Sequence, residues 1–197
     1  LATQMYYFES GQQKFALLDV PGIEGDEEKV TREIWNAVQK AHAVFYVTSK
    51  AAAPQKGDDG TMGTLEKIRR HLGSQTEVWT LYNKRVTNPI QLEAKGLLSE
   101  DELASLQVLD EKMREQLGDH YLRSLPLSAQ PAFLSVAKCL VPESLSAKSQ
   151  DKFLRKLSSD ELLAQSNLLY LQALLAGDFV RNYKEKIVHS NANKANQ

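Results

Sequence analysis

Residues 14–25 read KFALLDVPGIEG. An apolar run ends in Asp19, turns through Pro21-Gly22 and leads into the acid-rich stretch from Glu24 to Glu28. An almost wholly apolar run is the pattern of a strand covered on both faces of a sheet. A carboxylate at the tip of such a strand, followed by glycine, is either an ordinary turn or part of an anion or metal site. Glycine matters to the second reading because it lets a backbone N–H approach an anion closely.

Outward from this stretch the periodicity alternates. MYYF (5–8) predicts a strand joined to 14–19 by a turn at Ser10-Gly11. Val30, Ile34, Ala37, Val38 and Ala41 recur at helical spacing, which predicts a helix over 26–41 with acids in its first turn. AVFYVTS (43–49) and EVWTLYN (77–83) are buried strands, separated by the Pro/Gly loop AAAPQKGDDG and a helix over 61–73. That helix turns Leu65, Ile68 and Leu72 inward and is closed by Gly73. Residues 99–118 open on a capping box, Ser99 with Glu102, and stop at Gly118. SLPLSAQ (124–130) predicts a short edge strand and loop. From Pro131 onward only helices are expected: the clearest spans 160–176, then a polar helix over 179–189 and an Asn/Lys-rich tail that frays. The order predicts an α/β domain, a mostly parallel sheet flanked by helices with one antiparallel strand at the beginning.

Composition narrows the class. The 197 residues are enough for one substantial α/β domain, and 24 Lys+Arg against 25 Asp+Glu leave no basic field pointing to DNA. The one cysteine, Cys139, excludes an internal disulfide and suits a reducing compartment such as the cytoplasm. In SVAKCLV it reads as a buried structural thiol. No apolar run reaches the roughly 20 residues of a membrane span. Lys14 and Lys56 read as solvated, His42 and His71 as structural groups at helix ends, and the four histidines lack metal-ligand spacing.

In an open α/β sheet, ligands bind outside the carboxyl ends of the strands. Those ends carry Asp19-Val20-Pro21-Gly22, Thr48-Ser49, Asn83-Lys84-Arg85 and Ser128-Ala129-Gln130. An Asp, an Asn-Lys and a Ser-Ala in this order resemble the nucleotide-contacting loops of P-loop GTPases. The resemblance implies a Ras-like domain that binds GTP/GDP and Mg²⁺. Asp19 would hold the metal shell, mostly through water, and Gly22 would sense the γ-phosphate in catalysis. Asn83 and Lys84 would hold the base with Ser128, Ala129 and Gln130. Thr3 takes the place of the switch threonine whose hydroxyl binds Mg²⁺. Ile23 stands where small signalling GTPases carry a water-orienting Gln, a feature of the translation-factor-related branch. The helical insert and the KIVHSNANK segment resemble a bacterial dynamin-like GTPase, with an Era-like, ribosome-associated GTPase second.

Three departures qualify this. Val86 stands where the family has the Asp that accepts hydrogen bonds from guanine, so discrimination against adenine weakens unless Thr87 or Asn88 supplies the acceptor. Gln130 replaces the usual Lys. There is also no G-x-x-x-x-G-K-[ST] loop, which in this family lies upstream of the Asp-x-x-Gly strand on a central strand of its own. The expectation is therefore an N-terminally truncated G domain over 1–178, with 179–197 beginning a helical extension and nucleotide binding impaired. Loss of the central strand exposes two edges, so the strands over 14–19 and 43–49 are expected to pair directly or recruit a strand. Phe133, Leu134, Phe153, Leu154 and Leu157 of the insert over 131–165 are expected to cover the domain's own core. The function expected is GTP hydrolysis by a dynamin-like protein. Its implied partners are GTP, a nucleotide-dependent second copy, and a membrane met through regions outside this chain. A degenerate GTPase-like interaction module without hydrolysis is the alternative from another class.

Overall fold

The computed structural model describes residues 2–11, 13–22, 27–57, 62–73, 77–93 and 96–195. Ile23, the helix start at Asp26 and Thr61 lie outside the described residues. The chain runs β1 (Gln4–Ser10), β2 (Gln13–Asp19), α1 (Glu27–Lys40), β3 (Val44–Thr48), α2 (Thr64–Leu72), β4 (Val78–Asn83) and α3 (Ile90–Glu93). It continues through α4 (Glu100–Leu117), β5 (Tyr121–Leu127), α5 (Ala129–Val136), α6 (Leu145–Leu154), α7 (Ser159–Gln165), α8 (Leu168–Ala173) and α9 (Tyr183–Ala195).

The strands form two sheets where sequence pattern leads to one. β3, β4 and β5 make a parallel sheet in that order, and β1 and β2 make a separate antiparallel hairpin. The expected mixed sheet, and the expected direct pairing or strand recruitment between β2 and β3, are both corrected: no described strand lies on the β3 edge. A crossover helix brings consecutive strands into neighbouring positions only about two-thirds of the time, so the α1 crossover does not oblige β2 to join β3. The hairpin is held by its own cross-strand pairs. Phe8 lies opposite Phe15 with ring centroids 5.3 Å apart, and Glu9 opposite Lys14 with a 3.0 Å ion pair. It is tied to the body by Thr3, whose N–H and Oγ1–H both donate to Glu33 Oε2 of α1, and by Val20, which packs on the core.

The central strand β4 is covered on both faces, as an inner parallel strand requires; β3, expected to be buried, is only partly covered, with Val47 60% exposed. Val78 and Tyr82 of β4 meet Val30, Ile34 and Val38 of α1, Leu65, Ile68 and Leu72 of α2, and Leu106, Leu109, Met113 and Leu117 of α4. The period-2 alternation turns Trp79 to the opposite face. There it packs with Phe45 and the edge of Phe179, and Arg123 lies over the Trp79 and Tyr170 rings. β5 begins at Tyr121, three residues before the expected Ser124, and carries Pro126. Proline has no N–H to donate, and β5 is an edge strand.

Val86, Leu92, Leu134, Phe153, Leu157 and Leu162 form a second core under α5, α6 and α7. The expected burial of Leu134, Phe153 and Leu157 holds. Phe133 at 50% and Leu154 at 40% exposure point away from this core. Cys139 is exposed rather than buried, because it follows the end of α5 in an irregular segment. The single helix expected over 160–176 is broken between α7 and α8. Asn167 takes the left-handed conformation that Asn tolerates better than most residues, and its Nδ2–H donates to Pro126 O at 2.6 Å. A π-helical stretch, Leu174–Phe179, follows. α9 starts later than expected, at Tyr183, and stays helical through Ala195 where fraying is expected. It packs back on the body: Lys186 pairs with Glu77 at 2.6 Å, and Lys194 Nζ donates to Gln39 O and Ala41 O.

Ile68 is fully buried in the main core and Leu145 is 86% exposed. Ile68→Ala is expected to lower the unfolding free energy by about 2–5 kcal/mol, and Leu145→Ala to leave it within about 0.5 kcal/mol. Urea titration followed by far-UV circular dichroism measures both.

Candidate functional site at the carboxyl ends of the parallel strands

Asn83 and Lys84 leave β4 side by side with Ser128 and Ala129, which leave β5, because the two strands are in parallel register with Asn83 opposite Leu127. Polar bonds then fasten the two strand ends together. Lys84 N–H donates to Leu127 O at 2.8 Å, Ser128 Oγ–H to Lys84 O at 2.7 Å, and Ala129 N–H to Asn83 Oδ1 at 3.0 Å. Ser128 N–H donates to Ser166 O at 2.9 Å, which ties the loop to the break between α7 and α8. Four of the residues expected to hold a base therefore converge, with Gln130 exposed in the first turn of α5 beside them.

The Lys84 side chain is engaged from the α4 side. Its Nζ lies 2.6 Å from Glu102 Oε2. The same carboxylate caps α4, accepting from Ser99 N–H at 2.8 Å, and its Oε1 accepts Tyr82 Oη–H at 3.0 Å. Burial alone would raise the Glu102 pKa. The bonds from Lys84, Ser99 and Tyr82 outweigh it and carry the pKa from the ordinary 4.5 to about 2. Tyr82 moves the other way, to about 12, through desolvation first and its bond to Glu102 second. The sequence shows Glu102 only as the capping-box partner of Ser99. Its link to Lys84, 18 positions away, has no spacing signal, since a tertiary fold alone brings α4's first turn to the end of β4.

The other expected residues lie elsewhere. Asp19 ends β2 and is exposed, as is Gly22, where an added Cβ would meet nothing within 4 Å. Both belong to the hairpin and its following turn, which share no ladder with the parallel sheet. Thr3 holds Glu33, and those two bonds lower the Glu33 pKa. Among the described residues no group of three or more His, Cys, Asp or Glu side chains is arranged to hold a metal. A Mg²⁺ at Asp19 would take its remaining oxygens from water and phosphate, as this ion commonly does. Val86 is fully buried in the second core, and Asn88 Oδ1 accepts Ile90 N–H at 3.2 Å.

Scanned against protein-family models, curated proteins and solved structures, the chain matches none.

Because the folded-state pKa of Glu102 lies below the unfolded value, its stabilisation is complete above about pH 4.5 and is lost as pH falls toward 2. Glu102→Gln is expected to flatten the acid limb of the stability curve across that window, read as urea midpoints at successive pH values. In Lys84→Met the Glu102 carboxyl is expected to titrate at higher pH, measured by ¹³C NMR.

Proposed function

We propose that this chain is the base-holding part of a guanine-nucleotide-binding, GTP-hydrolysing domain of the dynamin-like kind. The observation that carries the reading is the bonding of Asn83 Oδ1 to Ala129 N–H across the ends of two adjacent parallel strands. One asparagine amide thus fixes two loops relative to each other at the place where open α/β sheets bind ligands. Its Nδ2–H₂ remains to donate to a base, and the Ser128-Ala129-Gln130 loop supplies backbone groups for the base edge.

In this reading Mg²⁺ supplies charge neutralisation at the phosphates, and Asp19 provides its carboxylate. Gly22 leaves space for a backbone N–H to meet the terminal phosphate. Lys84 stands at the base side with its stem, its ammonium fixed by Glu102. The 197 residues hold no phosphate loop, so these groups orient base and metal without gripping the β- and γ-phosphates. A nucleotide-dependent homodimer and a membrane partner belong to the same proposal. A second reading, a GTPase-like interaction module, is favoured by one observation: Val86 is buried in the second core and puts no carboxylate at the base position.

Fluorescent GDP and ADP analogues titrated into the protein with Mg²⁺ test the two readings. Under the first, Asn83→Ala weakens binding by about tenfold or more, equivalent to about 1.4 kcal/mol. Asp19→Asn then abolishes the Mg²⁺ dependence. With Val86 in place, GDP is preferred over ADP by much less than the about 10⁴-fold attained where base hydrogen bonds are obligatory. No binding of either nucleotide by a protein that also contains a phosphate loop supports the module.

A further inference from the structure

Between the loop that follows β4 and helix α6 lies an open groove of about 470 Å³. One wall is Asn88, Pro89 and Ile90; the other carries Lys148, Lys152, Arg155 and Lys156 against a single lining carboxylate, Asp151. The whole chain is close to neutral, with 24 basic and 25 acidic residues, so this concentration of positive charge is local.

The cations are only partly used within the fold. Lys152 Nζ donates to Thr87 O at 3.2 Å and anchors α6 to the loop. Lys148 meets Glu143 at 3.2 Å, an exposed pair of the kind worth little in water. Arg155 and Lys156 have no acidic partner within ion-pair distance among the described residues. Cations near the end of α6 complement its dipole. That accounts for Lys152 and Arg155, but not for Lys148 a turn earlier or for their facing the Asn88 amide across a gap. The far side of α6 is occupied structurally: Phe153 is buried and Gln150 Nε2 donates to Leu134 O and Ala137 O. The helix is thereby held with its basic residues on the groove.

We propose that this groove binds a compact polyphosphate group, a single ligand with two or more linked or neighbouring phosphates. Lys148, Lys152, Arg155 and Lys156 along one wall present more positive charge than Asp151 and a single bound carboxylate would balance, and linked phosphates carry the charge to match it. Arg155 contributes a planar fork suited to phosphate oxygens, and the lysines add point charges around it. Asn88 supplies a neutral amide, and exposed Ile90 offers an apolar contact to the body that carries the phosphates.

Calorimetric titration of the full chain with sodium tripolyphosphate tests this. Binding is expected, with affinity falling as salt rises. The double variant Arg155→Ala/Lys156→Ala is expected to lose about tenfold or more in affinity. Lys148→Ala loses less, and Lys14→Ala, a remote exposed cation, changes nothing. Circular dichroism verifies that each variant is folded. A second arm uses phosphatidylcholine vesicles with and without a phosphoinositide bisphosphate. Selective vesicle binding that needs Arg155 and Lys156 assigns the phosphates to a lipid headgroup, and tripolyphosphate binding alone assigns them to a free ligand. Binding of neither, an equal loss in Lys14→Ala, or tighter binding of a polyglutamate peptide than of tripolyphosphate overturns the proposal. Nucleotide binding is scored separately, because it reads Asn83 and Asp19 rather than Arg155 and Lys156.

Discussion

β4 is buried on both faces, and most of the architecture answers that requirement. A parallel strand cannot be joined to its neighbour by a tight turn, so each connection must cross over and lay a helix on the sheet. Val78 and Tyr82 take α1, α2 and α4 on one side. Trp79 takes Phe179 and the guanidinium of Arg123 on the other. α9 returns to the body, pinned by Lys186 to Glu77 and by Lys194 to the carbonyls at the end of α1.

Burying the strand faces leaves backbone and side-chain polar groups to emerge at the strand ends. There the chain satisfies them with one another: Ser128 with Lys84 and Ser166, Asn83 with Ala129, Lys84 with Glu102. A buried or half-buried polar group without a partner costs more than a made bond gains. The bonding thus fixes the two strand ends relative to each other. Glu102 shows the economy of the arrangement, since one carboxylate caps α4, holds Lys84 and accepts from Tyr82. That concentration of donors keeps it ionised well below the usual carboxylate range.

The hairpin answers a different constraint. A two-stranded ribbon alone is marginal in water, and β1 and β2 depend on Phe8 over Phe15, on Val20 packed against the core and on the Thr3–Glu33 bonds. Its tip pair, Glu9 with Lys14, puts charge on exposed strands, one of the ways edges are kept from pairing with other chains.

Local pattern was enough for the existence and type of most of the elements through β5, and less so for their bounds. Apolar runs marked the strands, helical spacing marked α1 and α2, and for α4 Ser99 with Glu102 announced a capping box that forms as read. The convergence of Asn83 with Ser128 and Ala129 was legible too, because parallel strands with helical crossovers must bring their carboxyl ends to one edge. Other features depended on contacts distant in sequence, which carry no periodic signature. The separation of hairpin from sheet, the break at Asn167, the exposure of Cys139 and Phe133, and the Lys84–Glu102 pair are of this kind. Residue spacing encodes which face of an element is apolar; which neighbour that face meets, and which charge finds which, is settled only when the elements pack.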